Sequence, residues 1–415
     1  MSQQLISRPL SPFNKLWMGQ SISFLGSEVT TFALPFMAVI LLHSSPQQVG
    51  LLNAVQTAPV FFFSLFAGVV LDRVKRRRIL MLSDFGRAFL VFCVPILAGL
   101  NLLSMGSLYT LGFCIGTLTV FFDVGYQAYL PTIMEREDFI SANSQMQSSK
   151  TASQVVGPTI SGLLVNLVGA PLAMVTDGLS YVASAIAIAT IDKHEASQRS
   201  KLTKKPTELI REATEGLRFV VANRMLWALV GAAASFNFFA GSIIRVLLMP
   251  FALRTLHLNA TEVGIALSVG SVGAFLGARL APRLSKRIGV GKTIVLGSIM
   301  SGMSQWVVAL ASGSPLHGLG MLGFGMLVDG FGALIFGITQ STVRLSLTPE
   351  HLQGRVSGAV RLLVWGLLPF GGVVGGYIGT RFGLRTSMEI AAVGASTSTL
   401  WVLFSPVRKL QSLKS

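Results

Sequence analysis

Charge is scarce in this sequence: Asp, Glu, Lys and Arg make up 12% of its 415 residues, against 51% apolar residues. A soluble core of this size needs far less apolar surface, so the composition points to lipid as the solvent. The alternation of a membrane β-barrel is also missing. Apolar residues come instead in blocks of roughly 20 or more, about the length a helix needs to cross ~30 Å of hydrocarbon. No cleavable leader is expected, because the basic start (Arg8, Lys15) runs into an apolar stretch from Lys15 to Leu42. That stretch is too long for a signal h-region and lacks a small-residue cleavage site. Cysteine is limited to Cys93 and Cys114, both inside apolar blocks, where they read as packing residues. None of the five histidines (His43, His194, His257, His317, His351) falls mid-block, and no Cys/His/carboxylate spacing resembles a metal site. Neither a metal nor any other cofactor is expected.

Two soluble-protein motifs fail on inspection. Gly291-Lys292-Thr293 imitates the end of a phosphate loop, but Lys286 stands where its first glycine is required and no strand precedes it. Asn259-Ala260-Thr261 has the form of a glycosylation acceptor, yet nothing else indicates a secretory route. A clustered catalytic set is absent, which argues against an enzyme.

Acid is rarer than base, 17 against 33, for a net charge of +16. Nucleic acid would be the usual partner of such a chain, but the position of the charges excludes it. Twelve hydrophobic blocks can be drawn, at about 14–42, 49–71, 79–100, 106–129, 148–168, 172–191, 225–253, 261–283, 293–311, 317–342, 357–379 and 386–405. Even parity places both termini on one side. With that side cytoplasmic, Arg73, Lys75, Arg76, Arg77 and Arg78 lie inside, as do Lys286, Arg287, Lys292, Arg408, Lys409 and the many cations of 193–224. Only Arg254, Arg381 and Arg385 remain outside, the asymmetry that the positive-inside rule demands. The expected location is the cell inner membrane, as a multi-pass monomer with both termini cytoplasmic.

A repeat organises the blocks. Laid on the second half at an offset close to 214, Gln48-Val49-Gly50 falls on Glu262-Val263-Gly264, Gly157 on Gly371 and Gly169 on Gly383. Pro35-Phe36 falls on Pro250-Phe251 one step further, and Glu137 on Glu350. Six spans per half, both starting from one side, give a parallel repeat about an axis along the membrane normal. The predicted architecture is an all-α membrane protein with 12 transmembrane helices in two pseudo-symmetric six-helix bundles. Its parts are a first bundle over 1–191, a linker over 192–224 with an amphipathic helix near Glu208–Phe219, a second bundle over 225–405 and a tail over 406–415. Small residues supply the faces on which bundles pack or slide: Gly157-Pro158 with Gly162 in span five, Gly270, Gly273 and Gly277 in span eight, and Gly371, Gly372, Gly375, Gly376 and Gly379 in span eleven.

Between spans two and three the chain reads Gly68-Val-Val-Leu-Asp72-Arg73-Val-Lys75-Arg76-Arg77-Arg78. This resembles the signature loop of the major facilitator superfamily: a glycine, then Asp-Arg, then two or more basic residues. Lys75 departs from the pattern, standing where many members have a second glycine. The resemblance implies a major facilitator fold and a cytoplasmic gate, in which Asp72 faces the positive end of span eleven and Asp123 of span four pairs with a basic residue of the loop. Asp84 and Arg87, three apart on span three, can pair on one helix face and read as gate structure more than substrate contact.

A finer resemblance is to the branch of facilitators that includes the enterobactin exporter and the macrolide efflux proteins. It rests on Gln20-Ser21 with Gly26-Ser27, on Asp123 followed by Tyr129-Leu130-Pro131, on Ser141-Ala142-Asn143 and on Gly157-Pro158. Asp177-Gly178-Leu179-Ser180-Tyr181 and Gly354-Arg355-Val356 complete it. It implies efflux of an amphipathic small molecule.

Ionisable residues inside spans are the best internal guide to transport chemistry, since each needs a cavity or a partner. Glu28 lies near the middle of span one and Asp329 near the middle of span ten, with Arg245 of span seven available to neutralise either. Each carboxyl is either a proton carrier or a static hydrogen-bonded anchor; Glu28 leans to the first reading and Asp329 to the second. Span four has no arginine, which closes one common route to proton coupling. The leading expectation is a proton-driven exporter of drugs or secondary metabolites. A nutrient importer on the same fold and a lipid-handling protein are the alternatives.

Overall fold

In the computed structural model, which describes residues 11–71, 74–134, 138–191 and 206–411, the chain is all helix, with no strand among those residues. The first bundle holds α1 (Pro12–Ile40), α2 (Pro46–Leu71), α3 (Arg76–Gly99), α4 (Met105–Ile133), α5 (Phe139–Val168) and α6 (Ala170–Ala189). After α7 (Pro206–Ala222) the second bundle begins with a crossing in three pieces: α8 (Arg224–Phe238), a π-helical turn (Phe239–Ile244) and α9 (Arg245–Arg254). There follow α10 (Ala260–Ile288), α11 (Val290–Ala309), α12 (Pro315–Leu347), α13 (Gln353–Trp365), α14 (Leu368–Phe382) and α15 (Leu384–Leu403), with α13 and α14 forming one broken crossing.

Among the described residues, nine segments are long and apolar enough to span a bilayer by themselves. The other three crossings are α2, α11 and α15. In α11 and α15 hydroxyls and small residues dilute the hydropathy, and they are used internally: Ser298, Ser301, Ser304, Gln305, Ser387 and Ser398 are all buried. Helix starts follow ordinary capping chemistry. Ser11 accepts from the Asn14 N–H, and Ser104 with Ser107 and Asn259 with Glu262 form capping boxes.

The repeat is visible in backbone conformation as well as in helix ends. At the offset seen in the sequence, His43 (φ 47°) corresponds to His257 (φ 55°), and Gly169 (φ 83°) to Gly383 (φ 83°). Left-handed conformations are rare for histidine, so their recurrence marks one inherited turn. At Lys75 the symmetry fails. Its counterpart Gly289 turns the chain at φ 91°, whereas Lys75 takes φ −57°, so the two positions differ in backbone conformation. Side-chain bulk explains this, since only glycine adopts the left-handed form without strain.

The linker helix and the start of the tail are built into the second bundle. Val220 of α7 is buried against Val356, Val360 and Val364, and Gly216 lies so close to the Arg355 carbonyl that a Cβ would come within 2.2 Å. In the tail, Val407 is fully buried among Leu229, Ile294 and Val402.

Candidate functional site

All crossings alternate in direction, so one face of the molecule carries the termini and the opposite face can be called distal. Among the described residues, the close backbone contacts between the bundles lie in the distal part, along two seams. In the first, Gly162 of α5 meets Ala260 and Gly264 of α10, with a Cβ on Gly162 only 2.3 Å from the Ala260 oxygen. Gly264 in turn faces the Pro158 carbonyl at 2.3 Å by the same measure. Thr159 binds Ser268 twice, N–H to Oγ at 3.1 Å and Oγ1 to Oγ at 2.8 Å, and Ser271 donates to the Gln154 carbonyl at 2.7 Å. The second seam repeats the design: Gly50 of α2 faces Gly372 and Gly376 of α14, and the Gln47 N–H donates to Thr380 at 3.0 Å. Gly50 and Gly264, like Gly162 and Gly376, are counterparts in the repeat. Arg254 adds a latch, donating from α9 to the Val39 and Ser44 carbonyls at the distal end of α1.

The glycine stripes therefore divide by task. Gly372 and Gly376 serve the seam between the bundles, whereas Gly371 and Gly375 admit Ser242 and Ile243 of the same bundle. Gly270, Gly273 and Gly277 face Met326, Leu327 and Phe331 of α12, so the span-eight stripe is close packing within a bundle and not a sliding surface.

Toward the terminal face from these seams, ionisable groups stand on both bundles. Glu28, half-buried on α1, is seated against Gly157, where a Cβ would come within 2.6 Å of its Cγ. The charges whose fields reach it are those of Arg245, from the other bundle, and Lys150 of α5. Asp123, exposed on α4, feels Arg87, Lys150 and, again from the other bundle, Arg361 of α13. Two acids of the first bundle thus lie within electrostatic range of two arginines of the second. Sequence reasoning passed over Lys150 and Arg361; a lone cation in an apolar block was the available signal.

Arg245 follows directly on the π-turn, and Arg361 precedes the break between α13 and α14. π-Turns inside helices recur at functional sites, as do broken helices at the centre of transporters. Here the two irregularities are joined: Ser242 of the π-turn donates to the Leu368 carbonyl at 2.6 Å. In the repeat Ser242 is the counterpart of Glu28, as Gly371 is of Gly157. Each bundle therefore holds one polar side chain in the same glycine notch, an acid in the first and a hydroxyl in the second.

Other residues singled out in the sequence lie elsewhere. Asp329 does not meet Arg245: Ser304 and Gln305 of α11 are its polar neighbours, and its Oδ1 has no hydrogen-bond partner. The reason is geometric, since α12 buries this face against α11 inside the second bundle. Asp84 and Arg87 form a buried ion pair within the first bundle. The Arg87 guanidinium lies between the Phe122 and Tyr181 rings, 4.3 and 4.2 Å from their centroids. Ser184 donates to Asp84 at 2.6 Å and is itself bound by Gln20 at 2.8 Å. Asp177 next to this network accepts from Thr30 and Ser180. Arg76 donates to the Ala128 carbonyl at 2.9 Å, and Arg77 to the Ile188 and Ala189 carbonyls at the end of α6, positions where the helix dipole favours a cation. Arg355 pairs with Glu215 of the linker helix. Gly68 falls within α2; Asp72 and Arg73 lie outside the described residues.

Twelve crossings in two bundles related by a twofold along the membrane normal, meeting in paired glycine seams, define a transporter of the major facilitator class. Structural comparison shows the same fold. The chain is similar, at TM-score 0.76 and 17% identity over 96% of its length and 99% of the other's, to a bacterial homologue of the iron transporter ferroportin in an inward-facing state. The chain belongs to the family described as transmembrane secretion effectors, whose profile matches residues 8–415. Among curated relatives it is 27% identical over 377 residues to the multidrug efflux pump Tap of Mycolicibacterium fortuitum, covering 87% of this chain and 88% of that one. It is 22% identical over 354 residues to the enterobactin exporter EntS of Citrobacter koseri, covering 83% and 80%.

Proposed function

We propose that this chain exports amphipathic small molecules, antibiotic-, drug- or siderophore-like, by proton antiport through alternating access. It does so as a monomer of the inner membrane with both termini in the cytoplasm. On that orientation the distal seams close the outer side, and the terminal side opens inward. The segments 1–191 and 225–405 are the moving units, and 192–224 couples them. Efflux pumps among the relatives of this chain support the direction of transport.

The observation that carries the coupling role is Glu28 in its notch, within electrostatic range of Arg245 across the bundle boundary. An ionised Glu28 attracts Arg245, while a protonated one releases it, so taking up a proton changes the force between the bundles. A carboxylate at this depth is tolerated only beside such a partner or a wet cavity. A cationic or amphipathic substrate entering from the terminal side competes for the same carboxylate, which is what exchange of substrate for proton requires.

Expression in a pump-deficient host, with accumulation of macrolides, tetracyclines and dyes measured, tests the direction. Proteoliposomes under an imposed pH gradient test the coupling. Wild type is expected to lower accumulation, and Glu28→Gln to lose gradient-driven transport. Uptake in place of export, or equal transport by the variant, refutes the proposal.

A further inference from the structure

On the terminal face of the second bundle, away from the ionisable groups just described, lies an open groove of about 970 Å³ between the α10–α11 turn and the tail. Five of its lining residues are cations, Lys286, Arg287, Lys292, Arg408 and Lys409, and none is an acid. All five side chains are exposed, and none forms an ion pair among the described residues.

The backbone holds this cluster together. Gly289 reverses the chain at φ 91°, and the first N–H groups of α11 bind the tail: Gly291 to the Leu410 carbonyl at 2.8 Å, Val290 to the Gln411 carbonyl at 3.3 Å. A Cβ at position 291 would stand 2.1 Å from the Val407 oxygen, so only glycine permits this approach. The buried Val407 anchors the turn that carries Arg408 and Lys409. Like charges repel, and a fold that fixes five of them around one groove has a site for an anion.

The groove's other wall says which anion. Val295, Leu296 and Ile299 of α11 and Leu403 of α15 continue it along the apolar surface. A basic pocket over an apolar wall matches a molecule with a phosphate at one end and hydrocarbon at the other. We propose that this groove binds the headgroup of an anionic phospholipid, of the phosphatidylglycerol or cardiolipin kind, with its acyl chains along Leu296, Ile299 and Leu403. Such a lipid screens the cationic cluster and ties the tail to the α10–α11 turn.

Native mass spectrometry of the full chain in neutral detergent, supplied with phosphatidylglycerol, cardiolipin or phosphatidylcholine, reads this directly. Wild type is expected to retain the two anionic lipids and release phosphatidylcholine. Retention is expected to fall about tenfold or more in Lys286→Gln/Lys292→Gln/Lys409→Gln. It is expected to stay unchanged in Lys286→Arg/Lys292→Arg/Lys409→Arg, and in Arg78→Gln/Arg218→Gln/Arg224→Gln, which removes equal charge from exposed positions elsewhere. Equal loss in both glutamine triples, or phosphatidylcholine held as firmly as the anionic lipids, overturns the proposal. Displacement of the lipid by excess inorganic phosphate also overturns it, by assigning the groove to a free anion.

Discussion

Replacing Gly264 by alanine is expected to open the distal seam, and the size of the effect can be worked from the contacts. The new Cβ would stand 2.3 Å from the Pro158 oxygen and 3.2 Å from the Thr159 Cα. Non-bonded heavy atoms settle near ~3.5 Å, so α5 and α10 must part by about 1 Å there. Overpacking of this kind costs about 1–3 kcal/mol. The Thr159–Ser268 hydrogen bonds, one turn along, lengthen beyond useful range and forfeit about 1 kcal/mol more. A total near 2–4 kcal/mol shifts the balance between seam-closed and seam-open states by roughly 30- to 900-fold. Spin labels at Leu167→Cys and Leu316→Cys, exposed on the distal side of the two bundles, in a Cys93→Ser/Cys114→Ser background, report the separation by pulsed dipolar spectroscopy. Gly264→Ala should move the distribution to longer distances. Gly50→Ala should do the same through the second seam, where its Cβ meets the Gly372 oxygen at 2.3 Å, while Gly320→Ala, with nothing within 4 Å, should not. Unchanged distances in both seam variants would refute the assignment of these glycines to the closed state.

Arg87→Leu strands the buried Asp84 and should cost about 3–5 kcal/mol, whereas Arg87→Leu/Asp84→Leu should recover part of it; thermal unfolding in detergent decides, and a double variant no more stable than the single contradicts the pairing. Gly157→Ala pushes on Glu28 and should lower export several-fold at equal expression; added to Glu28→Gln it should change nothing further, so additive losses would separate the two residues. Ser242→Ala leaves the Leu368 carbonyl without its donor and should cost about 1 kcal/mol, seen as a lower melting temperature; no change would mean the π-turn and the helix break are held by packing alone.

The architecture was legible because hydrocarbon solvent writes itself into composition: each block drawn from the sequence corresponds to one crossing, and the amphipathic stretch near Glu208–Phe219 to α7. The repeat was legible too, since Gly50 and Gly264, or Gly169 and Gly383, answer backbone demands that both halves share. What escaped was pairing. Nothing in the spacing of Asp123 or Arg361 says that their charges come within range of each other from separate bundles, and a period of 3.6 residues does not carry such information. Arg245 was assigned to either acid on depth alone, yet depth leaves the helix face open, and its charge reaches Glu28 while Asp329 has Ser304 and Gln305 as neighbours. Asp177 entered through a resemblance; its burial beside Thr30 and Ser180 depends on how α1 and α6 cross.

The two seams are made of backbone laid on backbone, Gly162 on Ala260 and Gly376 on Pro46 and Gln47. Interlocked leucines would have to unlatch rotamer by rotamer and find their sockets again on each return. Bare peptide planes have no such memory to lose: in the proposed alternating-access cycle they separate as flat plates and come back in the same register each time.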